Sequence, residues 1–246
     1  MEQSQVERYA RHLVLKEIGG PGQQALLASK VCIVGAGGLG GPAGLYLAAA
    51  GVGHITLIDD DTVEASNLQR QVQFVHIDIG MEKSVVMADT LTELNPDVKV
   101  KAVKTRLTQN NAAELITGHD IVLDGTDSFE TRFEINSACR NLSIPLVSGA
   151  LGRFDGQVAA FGNKDSGPCY RCLVPNIPPN TETCSQVGVV GALAGVVGSM
   201  MALETIKLIT GAGEPLTGKV WLFDGLKAEG RTINLPRDPE CPECKP

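Results

Sequence analysis

The sequence predicts an α/β protein. A mostly parallel, Rossmann-like sheet should carry helices on both faces, with a cysteine-stapled C-terminal segment and a small antiparallel hairpin added to it. Three observations carry this prediction. First, Val31, Cys32, Ile33 and Val34 form a short apolar run that reads as a buried parallel strand. Gly35, Gly37 and Gly40 follow in G-x-G-x-x-G spacing, and an alanine-rich helix runs from there to about Ala50. Second, apolar strand runs and helical patterns alternate from Val31 to Phe161, as repeated β-α-β units require. Third, two C-x-x-C pairs, Cys169/Cys172 and Cys241/Cys244, stand far apart near the end of the chain.

The elements follow in order. From Val6 to about Glu17, apolar residues recur at helical spacing with Arg8, Arg11 and Lys16 between them, which predicts a helix with a solvated charged face. Gly19-Gly20-Pro21-Gly22 predicts a break before a short helix from Gln23 to Ala28. His54 to Ile58 is a second strand and ends in Asp59. The stretch DDDTVEASNLQRQ, from Asp59 to Gln71, is polar and turn-like. Lys83 to Leu94 reads as a helix stopped by Asn95-Pro96, Val98 to Val103 as a strand, and Asn111 to Ile116 as a helix. Ile121 to Leu123 is a third buried strand that runs into Asp124-Gly125-Thr126-Asp127. Ser128 should cap a helix reaching about Arg140, with Thr131 beyond the cap. Leu146 to Ser148 and Gln157 to Phe161 read as further strands.

The last part of the chain changes character. A loop rich in proline, asparagine and threonine reaches Cys184, and Val187 to Ile209 is then strongly apolar, with no charge before Glu204. That run is short for a bilayer and lacks flanking anchors, so it predicts a buried helix rather than a membrane span. Gly188, Gly191, Gly195 and Gly198 would let another backbone approach it. Lys219 to Asp224 and Arg231 to Asn234 predict the hairpin. The organisation expected is a single unit over 1–246. A nucleotide-binding part spans 1–165, and crossover loop, buried helix, hairpin and metal-binding tail span 166–246.

With 43% hydrophobic and 20% charged residues, the 246-residue chain has the composition of an ordinary soluble globular protein. A net charge of -7 provides no electrostatic footprint for nucleic acid or an anionic membrane. The first residues lack the apolar segment and small-residue cleavage site of a signal peptide. Seven cysteines cannot all pair internally. A reducing, cytoplasmic setting is the expectation.

The chemistry follows from residue types. Glycines permit a tight turn and close backbone approach to a phosphate, a helix N-terminus offers free N–H groups, and an acid about 20 residues on is placed for ribose hydroxyls. Asp59 is that acid. Acids at the carboxyl end of a parallel strand, such as Asp127, lie where ligands bind in open sheets. Four thiolates on two C-x-x-C turns can complete a tetrahedral Zn²⁺ site. A redox dithiol is the competing reading, but such motifs usually open a helix with one exposed thiol. Cys32 and Cys139 fall in a strand and a helix and read as core. Cys184 is unpaired in a polar loop, which leaves a reactive thiol and a residue without a role as alternatives.

Taken together, GAGGLG, DDDTV-x-x-SNLQRQ, Lys83, VLDGTDS, PCYRCL, the loop cysteine Cys184 before a glycine-rich helix, and the terminal CPEC resemble the E1-like MoeB/ThiF/HesA adenylyltransferases. The resemblance spans essentially the whole chain in order. RYARHLVL is similar to the family's opening R-Y-x-R-Q segment, with His12 where glutamine is usual. The resemblance implies ATP use: the C-terminal glycine carboxylate of a ubiquitin-like sulfur carrier (MoaD-like or ThiS-like, ending in Gly-Gly) attacks the α-phosphate, and pyrophosphate leaves. It implies that Asp59 holds the ribose, that Asn67, Arg70 and Lys83 hold the phosphates, and that Asp127 binds Mg²⁺. Gly35, Gly37, Gly38, Gly40, Asp61 and Gln71 complete the candidate nucleotide contacts. Arg11 would reach the triphosphate from the neighbouring subunit of a homodimer. Cys184 would act, if at all, after adenylation, as a thioester or persulfide acceptor. Some family members carry an appended rhodanese-like domain; this chain stops after Cys244, so a separate sulfur-donor protein is expected. Of the two branches, the MoeB-type (molybdenum cofactor) is favoured over the ThiF-type (thiamine).

Two other classes compete. An NAD(P)-dependent oxidoreductase would use the glycine motif but leaves Arg70, Lys83 and Asp127 unexplained. A non-catalytic, zinc-containing ATP sensor would bind nucleotide without releasing pyrophosphate.

Overall fold

The computed structural model describes residues 1–162, 167–177 and 188–245. The chain begins with α1 (Gln3–Arg8), α2 (Ala10–Leu13) and α3 (Gly19–Ala28), then β1 (Lys30–Val34), α4 (Gly40–Ala50) and β2 (His54–Ile58). Next come α5 (Lys83–Leu94), β3 (Lys99–Val103), α6 (Ala112–Ile116), β4 (Ile121–Asp124), α7 (Phe129–Leu142), β5 (Leu146–Leu151) and β6 (Asp155–Phe161). The described remainder holds α8 (Tyr170–Leu173), α9 (Gly191–Thr210), β7 (Lys219–Asp224) and β8 (Glu229–Asn234). Eight strands form one sheet in the order β3-β2-β1-β4-β5-β6-β7-β8. From β3 to β5 every pairing is parallel, and from β5 to β8 every pairing is antiparallel. The chain moves outward from β1 to β3 and then returns to β4, so the strand order reverses between β1 and β4. Open α/β sheets bind ligands at such a reversal.

Alternation along β1 builds a core on each face. Val31 and Ile33 join Leu47, Leu57, Leu123 and Met201 on one side. Cys32 and Val34 join Ile58, Val122, Ile135 and Tyr170 on the other. Burying each large aliphatic side chain contributes about 1.5–3 kcal/mol. Cys32 and Cys139 are both core residues, as the sequence suggests, and burial pushes the Cys32 thiol up to about 12 and raises Cys139 well above the ordinary range.

Three local expectations need correction. The single N-terminal helix is two short ones broken at Tyr9 (φ -97°, ψ 14°). Tyr9 is buried, accepts a hydrogen bond from Asn95 Nδ2 at 2.9 Å, and sits so close to Gly51 that a Cβ there would meet its ring at 2.6 Å. That tertiary anchor overrides helical continuation, and Val14 is left 76% exposed. Gly19-Gly20-Pro21-Gly22 does not precede a helix but forms the first turn of α3, where proline's missing N–H costs nothing. The hairpin β7–β8 is no appendage, because β7 pairs with β6 and extends the main sheet.

By length and composition α9 could cross a membrane. Here it packs on α4 and β5. The glycine reading holds at two of its four positions. A Cβ at Gly191 would lie 2.1 Å from the Gln69 carbonyl oxygen and one at Gly198 2.7 Å from that of Leu39, while Gly188 and Gly195 meet nothing. Burial is one-sided, with Val196 and Leu203 exposed on the outer face.

Candidate active site

At the carboxyl ends of β1, β2 and β4 the backbone itself is the first functional feature. Gly35 has φ +91°, and a Cβ there would press on the Gly125 carbonyl at 2.9 Å, so the loops after β1 and β4 touch across the strand reversal. A Cβ on Gly40 would lie 1.8 Å from the Gly35 oxygen, so only glycine permits this turn into α4. The amides of Gly37 and Gly38 have no acceptor among the described residues. That is what a loop built to receive a phosphate should show.

Asp59 closes the other side. Its Oδ2 accepts from Ala36 N at 2.7 Å and its Oδ1 from Asp61 N at 2.9 Å, leaving lone pairs for hydroxyl donors. Burial raises its pKa, opposed by those two N–H groups and by Lys83. The following loop folds back over the glycines: a Cβ on Gly37 would lie 3.3 Å from Gln71 Nε2, and one on Gly38 3.8 Å from Arg70 Cγ. Asn67 is buried and its Oδ1 accepts from Glu64 N at 3.3 Å, while Arg70 Nη1 donates to the Ser66 carbonyl at 2.9 Å. Gln71 Oε1 is buried without a partner. A bound ligand or water would have to satisfy it. Lys83 opens α5 nearly buried and pairs at 2.9 Å with Asp61, which is two-thirds exposed.

The loop after β4 separates two acids that the sequence presents side by side. Asp124 is fully buried and hydrogen-bonded to Thr126 and Ser148. Asp127 is exposed and makes no hydrogen bond among the described residues, just before Ser128 caps α7 by accepting from Thr131 N at 3.3 Å. Thus Asp59, Asp61, Asn67, Arg70, Gln71, Lys83, the glycines and Asp127 gather at the carboxyl end of the parallel strands. Arg11 does not. Its neighbour Tyr9 packs at the far end of α4 from the glycine turn, about 16 Å away for an eleven-residue helix. Cys184 lies outside the described residues.

Sequence reading missed Gln73. Its Nε2 donates to the carbonyls of Ala36 and Gly37 at 2.8 and 3.1 Å, pinning the glycine loop. Gly41 must lack a Cβ to admit it, since that atom would lie 2.2 Å from Gln73 Oε1. Nothing in a glutamine's position announces such a contact.

Cys169, Cys172, Cys241 and Cys244 form a second centre. Their Sγ atoms all lie within 4.8 Å of one another, with 3.7 Å between Cys169 and Cys241 and 3.3 Å between Cys172 and Cys244. Tetrahedral Zn–S bonds of about 2.3 Å require S···S distances of about 3.8 Å, so the donor set and its spacing fit zinc. Burial and the crowding of neighbouring thiols push Cys169 well above the usual range. A divalent cation would relieve that crowding.

A model of the ThiF family matches residues 9–243. The chain belongs to the ThiF family. It is 43% identical over 237 residues to the molybdopterin-synthase adenylyltransferase of Escherichia coli, covering 96% of this chain and 95% of that protein. It is 45% identical over 237 residues to the sulfur carrier protein ThiS adenylyltransferase of the same organism, covering 96% and 94%. Among solved structures, E. coli MccB with MccA-N7isoASN superposes with a TM-score of 0.86 at 24% identity, over 97% of this chain and 75% of that one. This last likeness is one of fold. The family's α/β architecture agrees with the predicted class.

Proposed function

We propose that this ThiF-family chain is an adenylyltransferase that uses ATP to activate the C-terminal glycine of a ubiquitin-like sulfur carrier protein, preparing it for thiocarboxylate formation. The observation that carries the reading is the assembly, at the carboxyl end of the parallel strands, of a glycine loop with two amides that lack acceptors among the described residues, the Asp59 carboxylate, two cations and the exposed carboxylate of Asp127. The two named E. coli relatives, both adenylyltransferases, support it. In this reading Gly35, Gly37, Gly38 and Gly40 cradle the phosphates and Asp59 takes the ribose hydroxyls. Gln71 offers its unpaired Oε1 to the nucleotide, while Asn67, Arg70 and Lys83 face the phosphate oxygens. Lys83 exchanges its exposed partner Asp61 for phosphate, and a nearly buried ammonium gains from the higher charge. Asp127 supplies a hard oxygen ligand, suited to Mg²⁺.

The carrier's carboxylate oxygen then attacks the α-phosphorus, the bond to the bridging oxygen breaks, and pyrophosphate departs with its electron pair. No thiol is needed for this step, so Cys184 belongs to a later one. Charge developing on the phosphate oxygens is met by fixed cations, which is where most of the rate acceleration in such reactions arises. A groove of about 610 Å³ along β5 to β8, lined in part by Leu151, Asp155, Gln157 and Arg231, opens at the same end of the sheet. It leaves room for an extended peptide beside the nucleotide site.

Two further parts belong to the proposal. Zinc, held by the four clustered cysteines, would be structural. A homodimer would complete the site with Arg11, which is too far away to serve its own chain. Exposed apolar residues flank both ends of that contact: Ile77 (83% exposed) and Val75 follow the phosphate-binding loop, and Val14 (76% exposed) follows Arg11. A two-fold interface would set one patch against the other. The oxidoreductase reading gives Arg70 and Lys83 no task. Both branch relatives match at near-equal identity, and we take the molybdopterin branch first, with sulfur delivered by a separate donor in a reducing cytoplasm. ATP–pyrophosphate exchange with MoaD-like and ThiS-like carriers tests all of this. Exchange with neither carrier would refute the adenylation reading, and exchange with the ThiS-like carrier alone would move the branch.

A further inference from the structure

Directly behind Asp127 lies a buried polar cluster that no step of adenylation uses. Asp124 Oδ1 accepts from Thr126 N at 3.0 Å and from Thr126 Oγ1 at 2.7 Å, and its Oδ2 accepts from Ser148 Oγ at 2.8 Å. Arg132, 6% exposed on the first turn of α7, stands 3.6 Å from Asp124 Oδ2 through Nη1. The same nitrogen reaches Ser148 Oγ at 3.4 Å, and Nη2 donates to the Thr126 carbonyl. That carbonyl belongs to the peptide leading into Asp127. The guanidinium also lies over the Tyr170 ring, 6.0 Å from its centroid. Tyr170 is itself fixed, because its N–H donates to Asn136 Oδ1 at 2.9 Å and Phe161 meets its ring edge-on.

We infer that Arg132 is a positioning residue for Asp127. The argument is one of geometry. Thr126 is held from its amide and hydroxyl by Asp124 and from its carbonyl by Arg132, so the peptide before Asp127 is restrained from both sides. Among the described residues Asp127 itself makes no hydrogen bond; beyond its charge attraction to Arg132, its placement rests on that peptide and on the cap at Ser128. Only a planar guanidinium can face a carboxylate and a separate carbonyl at once from two nitrogens; an ammonium can neutralise Asp124 but cannot span both.

This inference rests on the reading of Asp127 as the Mg²⁺ ligand, and the experiment separates the two. Arg132→Lys keeps the charge that Asp124 needs and should remain folded, with a melting temperature near wild type. Hydrogen exchange in the segment 124–129 should accelerate while that of β1 and β2 stays unchanged. The Mg²⁺ concentration for half-maximal pyrophosphate exchange should rise about 10–100-fold, the usual cost of losing a group that orients a metal ligand. KM for the carrier should not move. Should Arg132→Lys fail to fold, Asp124→Asn/Arg132→Met removes both buried charges together and should give the same local exchange and Mg²⁺ shift. Wild-type Mg²⁺ dependence with wild-type exchange at 124–129 overturns the inference. So does a uniform rise in exchange along the chain with activity lost in proportion to the folded fraction. Asp127→Ala is the control for the underlying reading. If it retains full pyrophosphate exchange, the Mg²⁺ role falls, while faster exchange at 124–129 in Arg132→Lys still establishes what Arg132 holds.

Discussion

In the parallel half of the sheet β4 is buried along its whole length and β1 at all but its first residue, whereas β8, at the antiparallel edge, exposes all six of its residues. The two halves share one sheet but solve different problems. Covered by α4 and α9 on one face and α7 on the other, the parallel strands end in loops that touch backbone to backbone, Gly35 on Gly125. Such close backbone contacts restrain the glycine loop. The antiparallel half has little cover beyond α9, presents the stacked rings of Trp221 and Phe223 partly to solvent, and borders the open groove. In the proposed reaction, rigid positioning would belong to the first half and access for the carrier to the second. The cysteine cluster sits at their junction, tying the chain end after β8 to the segment that docks on α7.

The largest effects should come from breaking the rigid half. On the proposed reading, Asp127→Ala and Arg11→Ala would each remove one electrostatic contact with the reacting phosphates, and such losses commonly cost about 10²–10³ in rate. Each variant alone should be nearly inactive in carrier-dependent pyrophosphate exchange. Mixed, they should recover. A heterodimer holds one site with both defects and one with neither, so random exchange of subunits returns roughly a quarter of wild-type activity on a statistical mixture. No recovery, with exchange of subunits confirmed by mass, would place Arg11 outside the partner's site.

How legible each half was in the sequence follows the same division. The strand–glycine–helix unit is local, so Gly35 to Gly40 and Asp59 could be read from spacing alone, as could the start of α5 at Lys83 and the Ser128 cap. What failed depended on distant partners. Tyr9 breaks the N-terminal helix because Asn95 and Gly51 hold it, and neither is near it in sequence. Gln73 and Arg132 carry no motif, since their roles exist only once other loops arrive. The mixed sheet was hidden for a similar reason: β6 pairs antiparallel with β5, and its hydrophobic run looks the same in either direction.

A middle-sized effect should come from the junction. Cys241→Ser leaves three thiols without their fourth ligand. If loss of the metal costs about 3–5 kcal/mol, the scale for stranding one partner of a buried charged group, the melting temperature should fall by roughly 10 °C for a domain of this size. Metal analysis of wild-type protein should find one zinc per chain. A metal-free protein that melts like wild type with all four thiols reduced would remove the staple. The comparison sharpens if hydrogen exchange in the variant rises in α8 and the chain end after β8, and hardly at all in β1.

The smallest effect is expected at Cys184. In the proposed reaction, nucleophilic attack on the α-phosphorus uses a carboxylate oxygen already present on the carrier, and the cations at the carboxyl end of the parallel strands would carry the charge that develops. A thiol has no bond to form or break at that stage. Cys184→Ala should therefore leave carrier-dependent pyrophosphate exchange within about twofold of wild type, a difference well under 1 kcal/mol in barrier. Alkylation of the native protein adds a second measurement. Burial holds Cys32 and Cys139 as neutral thiols that a reagent can hardly reach or ionise. The four clustered sulfurs should be shielded for as long as metal is bound. Label should enter at Cys184 first, without loss of exchange activity. If alkylation there stops adenylate formation while the alanine variant does not, the bulk of the label, rather than loss of the thiol, is responsible. If both stop it, the thiol takes part in adenylation itself and the assignment of that step to the residues at the carboxyl end of the parallel strands alone is wrong.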